Sequence, residues 1–169
     1  MTEASGPEWC DRFPTSISLD DLQWKFAENV QGFINAIEQA GGTVSVSATY
    51  RPAERAYLMH WCCLIASGQA KPSAVPAMAG VAIDWTHAGA SAAAVAAARA
   101  MMTKYNIAYP AALISRHTQR RAIDMTIGWK GDLKIKDAHG GSHVIPAPCD
   151  GSNRALWEVG ATFGVIKLG

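Results

Sequence analysis

Apolar residues recur at helical spacing in the stretch that follows Ser18. Ser18 with Asp21 three residues later is typical of a helix N-cap backed by an acid. Gly41-Gly42 ends the run, as glycine commonly does just past a helix. The pattern predicts an amphipathic helix whose core-facing residues are Leu22, Phe26, Phe33, Ile34 and Ile37.

The next segment alternates apolar and polar residues. Thr43 to Ser47 is rich in β-branched side chains, which predicts a short half-buried strand. Pro52 suits the first turn of a new helix, and the apolar residues between Glu54 and Ala66 predict that helix. Arg51 therefore lies at a strand-to-helix junction, a position from which side chains commonly project into a site.

A long connection and an alanine-rich helix follow. Residues Gly68 to Gly80 are rich in proline, glycine and alanine, and ordered loops of this length are often functional. The run from Ser91 to Met102 has high helix propensity, with Ser91 as a candidate cap and Asn106 as a candidate stop.

The last third alternates short β-type segments with turns. The predicted elements are strands at Leu113–His117 and Ala122–Trp129, a hairpin of Leu133–Lys136 with His143–Ile145, a helix at Arg154–Ala161 and a final strand at Val165–Leu168. This order predicts an α+β fold with a small, mainly antiparallel sheet and helices packed against it. We expect residues 1–12 to form an N-terminal arm and residues 13–169 to form one domain.

Charge and composition disfavour several classes of function. Fifteen Lys and Arg are balanced by fourteen Asp and Glu, which disfavours a nucleic-acid partner. No uncharged run approaches the roughly 20 residues that a membrane-spanning helix needs, and the N-terminus lacks the pattern of a secretory signal. The four cysteines have no metal-site spacing and are expected to be free thiols in a chain made in the cytoplasm.

Candidate chemistry is concentrated between Ser115 and Asp124. His117 and Asp124, seven positions apart, offer the imidazole nitrogen and carboxylate oxygen of ordinary zinc ligands. A catalytic zinc site needs a third protein ligand and an open position for water. These two residues therefore amount to part of a metal site.

The surrounding pattern carries a family resemblance. Ser115-x-His117-x-x-x-x-Ala122-x-Asp124 resembles the motif S-x-H-x-x-G-x-A-x-D of the zinc D-alanyl-D-alanine carboxypeptidases and L-alanyl-D-glutamate endopeptidases, a family that includes the VanX dipeptidases and many phage endolysins. The likeness runs from about Phe13 to Leu168. It is strongest in the phrases Ser47 to Pro52, Arg55 to His60 and Val159 to Val165.

The resemblance implies a DD-peptidase/Hedgehog-like fold, a Zn²⁺ cofactor and a hydrolase that degrades the peptide stems of bacterial peptidoglycan. His117 and Asp124 would be metal ligands, Arg51 would hold a substrate carboxylate or a developing oxyanion, and Ser115 would hydrogen-bond nearby. Zinc acidifies bound water and polarises the scissile carbonyl, while a guanidinium stabilises developing negative charge. Such an enzyme would act on the cell wall or in the periplasm. Without a secretory signal it would have to be delivered there as a phage lysin or as an effector of a secretion system. A delivery machine or an inhibitor protein would then be a partner.

Two departures leave open whether this chain is itself an enzyme. Arg120 stands where the motif has glycine, and its side chain either points into solvent or narrows the substrate groove. The family's general base and its third ligand, a histidine beside tryptophan, belong to a segment after the last strand, and the sequence stops at Gly169 before such a segment. The alternative is a non-catalytic relative that binds cell-wall peptide or a protein partner.

No other residue clearly supplies the absent groups. His60, His139 and His143 are most simply explained by packing or exposure, and His87 lies in the long loop, where it would border the groove. Glu158 and Asp84 are candidate bases that no spacing singles out. A thiol hydrolase pair built on Cys63 or Cys149 is a weaker alternative, since cysteine is often just a small buried apolar residue.

Overall fold

The computed structural model describes residues 1–168, and the chain divides into two compact units. Unit 1 comprises residues 1–15 and 51–119, and unit 2 comprises residues 16–50 together with the chain from residue 120. Each unit contains its own cluster of buried apolar side chains.

Four α-helices and six short strands make up the described chain. The helices are α1 (Trp24–Gln39), α2 (Ala53–Ala66), α3 (Ser91–Tyr105) and α4 (Arg154–Thr162). The strands are β1 (Glu3–Ala4), β2 (Thr43–Ala48), β3 (Ile83–Asp84), β4 (Asp124–Gly128), β5 (Leu133–Lys136) and β6 (Ser142–Ile145). They pair in three two-stranded sheets, β1 with β3 in parallel and β2 with β4 and β5 with β6 antiparallel. The predicted α+β class is confirmed.

Unit 1 is built on the packing of α2 along α3. The alanines of α3 allow a close approach, since Ala94 and Ala98 are completely buried. The N-terminal residues predicted to form an arm belong to this unit, and Trp9 and Cys10 lie in its core. The core is completed by Tyr57, Leu58, Cys62, Ile65, Val81, Ile83, Trp85 and Met101.

Unit 2 packs α1 against β2 and β5. The predicted core stripe of α1 is largely confirmed, because Phe33, Ile34 and Ile37 are buried. The predicted hairpin is also confirmed, since β5 pairs with β6 antiparallel, and Leu133 and Ile135 of β5 are both about 1% exposed. The rest of the core includes Leu22, Val30, Ile127, Trp129, Ile145, Leu156 and Val159.

The start of the first helix differs from the prediction. Ser18 does cap a helical turn, because its hydroxyl accepts a hydrogen bond from the Asp20 N–H at 3.2 Å. That turn is a 3-10 helix at Leu19–Asp21, and α1 begins only at Trp24. The capping residue was identified correctly, but the helix it caps was not.

Two predicted strands are absent from the described chain. Leu113–His117 is a loop that enters a turn, because the Ser115 and Thr118 side chains bond to the backbone and compete with strand pairing. Residues 165–168 form no strand either, since the N–H of Val165 is used to close the end of α4 by bonding to Gly160 O at 3.0 Å.

Two further expectations concern membranes and thiols. Among residues 1–168, no helix is long and apolar enough to cross a bilayer. All four cysteines are free, as expected. Burial raises the pKa of the Cys62 thiol to about 12, which makes it an unreactive core residue.

Candidate functional site

The four candidate site residues are distributed over both units. Arg51, Ser115 and His117 belong to unit 1, and Asp124 belongs to unit 2. His117 and Arg51 are half-buried, whereas Asp124 is exposed.

A tight turn fixes the backbone around His117. The N–H of Ser115 donates to Thr118 Oγ1 at 2.8 Å, and the N–H of Thr118 donates back to Ser115 Oγ at 3.2 Å. The Thr118 hydroxyl also donates to the Ser115 carbonyl at 2.9 Å, which closes the loop. His117 lies between these two reciprocally bonded residues, so its backbone is well constrained.

Arg51 is anchored to the same turn. Its N–H donates to the carbonyl oxygen of His117 at 3.2 Å, so the backbones of the two candidate residues are direct neighbours. Pro52 follows as the N-cap of α2, and its fixed φ orients the start of that helix. This hydrogen bond joins main-chain atoms of both residues.

Asp124 is the first residue of β4 and lies opposite Ala48 at the end of β2. The register shifts between Val46 and Ala48, which indicates a β-bulge at Ser47. The Ser47 hydroxyl donates to the Asp124 carbonyl at 3.2 Å. Bulges commonly redirect side chains beside functional sites, and here the irregularity faces the candidate carboxylate residue.

Arg120 keeps part of its side chain in solvent, with 44% of it exposed, and packs the rest on neighbouring residues. Its φ of 61° is left-handed, which is the backbone conformation for which glycine is best suited. The guanidinium stacks on the Tyr50 ring, 3.9 Å from its centroid, and Nη1 donates to the Asp21 carbonyl at 3.1 Å. The side chain therefore packs within its own unit, unit 2.

The side chains of His60, His87 and His143 lie within hydrogen-bond distance of other groups. His60 Nδ1 is 2.8 Å from the carbonyl oxygen of Ala111, and its ring meets Trp61 edge-on. His87 Nε2 is 2.9 Å from Ser5 Oγ. His143 Nε2 is 2.7 Å from Asp137 Oδ2 in the β5–β6 hairpin.

The two candidate bases differ in their surroundings. Asp84 accepts hydrogen bonds from the side chain and the N–H of Thr86 at 2.6 and 2.8 Å, and from the Ala88 N–H at 3.4 Å. The Thr86 bonds hold the pKa of Asp84 below its usual value, which disfavours its use as a base. Glu158 lies exposed on α4.

The described residues do not complete a catalytic zinc site. Among residues 1–168, no group of three or more His, Cys, Asp or Glu side chains is arranged to hold a metal ion. Catalytic zinc takes three protein ligands. The described chain thus offers the two ligand types of the motif, an imidazole and a carboxylate.

Some structural contributors were not identified from the sequence. Thr118 locks the turn, and its signal was readable, because Ser115-x-x-Thr118 is a spacing at which hydroxyls bond to nearby backbone. Tyr50 and Asp21 hold Arg120. No local pattern indicates that contact, since Asp21 and Arg120 are 99 positions apart.

Comparison with known proteins does not narrow the class beyond α+β. No family model matches the chain, and none of the curated proteins or solved structures that were compared with it is significantly similar.

Proposed function

We propose that this chain is a zinc-dependent peptidase of bacterial peptidoglycan, acting on the peptide stem as a carboxypeptidase or an endopeptidase. His117 and Asp124 are the proposed zinc ligands. Arg51 and Ser115 are the proposed contacts to the peptide. The motif from Ser115 to Asp124 is the basis of this assignment.

The observation that supports it best is the hydrogen bond from the Arg51 N–H to the His117 carbonyl. A guanidinium and an imidazole on adjoining backbones are the pair that a peptidase of this kind needs, one for negative charge and one for the metal. The two residues are 66 positions apart (117 − 51) in the sequence, so the fold brings them together.

Arg51 suits the proposed peptide because it offers a planar fork of donors. A stem peptide presents a terminal carboxylate or, during hydrolysis, an oxyanion, and guanidinium binds either through charge-assisted hydrogen bonds. Ser115 Oγ already accepts from the Thr118 N–H, so its own hydrogen is the group that can be donated to substrate. These two residues would orient the peptide.

The proposed site of action is the cell wall or the periplasm, reached through a phage or a secretion system. The proposed binding partner is the peptide stem of peptidoglycan. A delivery machine or an inhibitor protein is proposed as a second partner.

Hydrolysis of purified muropeptides tests the proposal. We expect product release, detected by mass spectrometry, to require zinc, to stop on addition of chelator and to be lost in His117→Ala and Asp124→Asn. His139→Ala is the matched control, because His139 is exposed and lies on a hairpin in unit 2.

Two results would contradict the peptidase assignment. Cleavage that is insensitive to chelator would exclude a metal-dependent reaction. Peptide binding that depends on Arg51, without any cleavage, would instead identify the non-catalytic relative that binds cell-wall peptide.

A further inference from the structure

Arg120 occupies a backbone conformation that its side chain does not favour. At φ 61° a Cβ is crowded, and such residues persist where the surrounding structure holds them in place. Arg120 is exposed to solvent in part, with 44% of its side chain accessible, so burial alone does not hold it. Specific contacts must therefore compensate for the conformation.

Those contacts all lie within unit 2. The guanidinium stacks on Tyr50 and donates to the carbonyl oxygen of Asp21, whose carboxylate Oδ1 is 3.7 Å from Nη1. The carbonyl of Arg120 accepts a hydrogen bond from the Gln23 N–H at 2.9 Å. Both the side chain and the main chain of Arg120 are thus tied to the segment that precedes α1.

Asp124 lies four residues after Arg120, and both residues contact the short stretch of residues 47–50. Asp124 pairs with Ala48 and accepts a hydrogen bond from Ser47, while Arg120 covers the ring of Tyr50. The segment between Arg120 and Asp124 is therefore fixed at both ends against residues 47–50. Between them, Arg121 donates to Gln23 Oε1 at 2.8 Å and Ile123 packs against the core of unit 2, so Arg120 is one of several attachments of this segment.

We propose that Arg120 is a positioning residue for Asp124. By stacking on Tyr50 and bonding to Asp21, it forms a clamp that holds the segment presenting the Asp124 carboxylate. The metal-binding role of Asp124 rests on the proposed function, whereas the clamp itself does not.

The test compares three variants in the metal-free protein. Arg120→Gly suits the left-handed backbone and removes the clamp, and Arg120→Lys retains a cation that can reach the Tyr50 ring. Arg121→Ala is the control, since it removes only the neighbouring guanidinium, which donates to Gln23 Oε1 at 2.8 Å. Backbone ¹⁵N order parameters of Asp124 report the positioning directly, and the unfolding midpoint of each variant is measured alongside.

We expect the order parameter of Asp124 to fall in Arg120→Gly from about 0.85, typical of rigid backbone, towards 0.6. It should stay at the wild-type value in Arg121→Ala and be largely restored in Arg120→Lys. An unchanged order parameter in a folded Arg120→Gly protein would overturn the inference. If Arg120→Gly does not fold, Arg120→Lys decides the question. An order parameter of Asp124 in Arg120→Lys as low as that of a flexible loop would then overturn the inference.

A zinc titration separates this inference from the proposed function. Arg120→Gly should weaken zinc binding about tenfold, the lower end of the usual effect of removing a residue that orients a ligand. Zinc binding that is lost in His117→Ala but unaltered in Arg120→Gly would refute ligand positioning. Zinc binding that is the same in wild type and His117→Ala would refute the proposed function, while the order parameter would still decide whether the clamp exists.

Discussion

Arg51 combines two roles that mutagenesis can separate. The main-chain N–H of Arg51 donates a hydrogen bond to His117, and every substitution at this position except proline keeps that N–H. The guanidinium is the proposed peptide contact. A substitution of the side chain therefore tests binding without removing the contact to the turn.

We expect Arg51→Ala to lower the affinity for a stem peptide with a free D-alanyl carboxylate by roughly 10- to 100-fold, the usual value of a charge-assisted hydrogen bond. Isothermal titration calorimetry measures this effect. Arg99→Ala is the control, because Arg99 is an exposed arginine of unit 1 on α3. Equal affinities for wild type and Arg51→Ala would exclude the guanidinium as the carboxylate contact.

The sequence predicted single residues well only where the signal is local. The strand-to-helix position of Arg51 and the stop at Asn106 follow from patterns within a few residues, and both agree with the structure. The packing of Arg120 on Tyr50 and Asp21 was not predicted, because it joins positions that are far apart in the sequence.

At the level of elements, the four helices of residues 1–168 all end in the same way. A residue with positive φ follows each helix, and the next N–H bonds back across the last turn. Glycine provides this conformation after α1, α2 and α4, at positions Gly41, Gly68 and Gly164, and Asn106 provides it after α3 with φ 54°.

Asn106 therefore allows a matched pair of substitutions. Asn106→Ala should destabilise the protein by about 1 kcal/mol, because the alanine Cβ is crowded in a left-handed backbone conformation. Asn106→Gly should be neutral or slightly stabilising, because glycine has no Cβ. Urea unfolding followed by circular dichroism measures both. If the two variants had the same stability, the left-handed conformation at this position would be wrong.

The β5–β6 hairpin carries a pH-sensitive contact. A hydrogen bond from the His143 side chain, supported by the N–H groups of Gly141 and His139, lowers the pKa of Asp137 from 3.8 to about 2. A carboxyl group whose pKa is lower in the folded state than in the unfolded state stabilises the folded state at pH values above its unfolded-state pKa. That stabilisation is lost as the pH falls through its folded-state pKa. The contribution should be complete above pH 3.8 and should disappear towards pH 2.

Asp137→Asn tests this expectation. The variant should unfold at lower denaturant than wild type at pH 6, and the difference should shrink as the pH falls from 3.8 to about 2. Asp132→Asn, at an exposed aspartate just before β5, controls for the change in charge. A stability difference that does not vary with pH over this window would contradict the assigned role of Asp137.

The two strands that were predicted wrongly show why β-structure was harder to predict than helices. Residues 113–117 and 165–168 contain strand-forming side chains, but neither segment pairs with another in the described chain. A strand requires a distant partner, while a helix closes its own hydrogen bonds. Local capping and turn bonds engage Ser115, Thr118 and Val165 instead.

At the level of the whole molecule, each unit is assembled from two separate stretches of chain. The divisions fall at residues 15/16, 50/51 and 119/120, and the second lies directly before Arg51. Hydrophobic periodicity reveals which side of an element is buried but not which core it joins, so this division could not be predicted from the sequence. The α+β class could be, because it depends only on the order of elements.

His117 and Asp124 are the proposed zinc ligands. The most direct measurement is equilibrium dialysis of the purified chain against zinc, with wild type, His117→Ala, Asp124→Asn and His139→Ala compared side by side. With two ligands from the chain, we expect weak binding that either His117→Ala or Asp124→Asn abolishes and His139→Ala leaves unchanged. Zinc uptake that is equal in all four proteins, or that His117→Ala and Asp124→Asn both leave unchanged, would contradict the assignment of these two ligands.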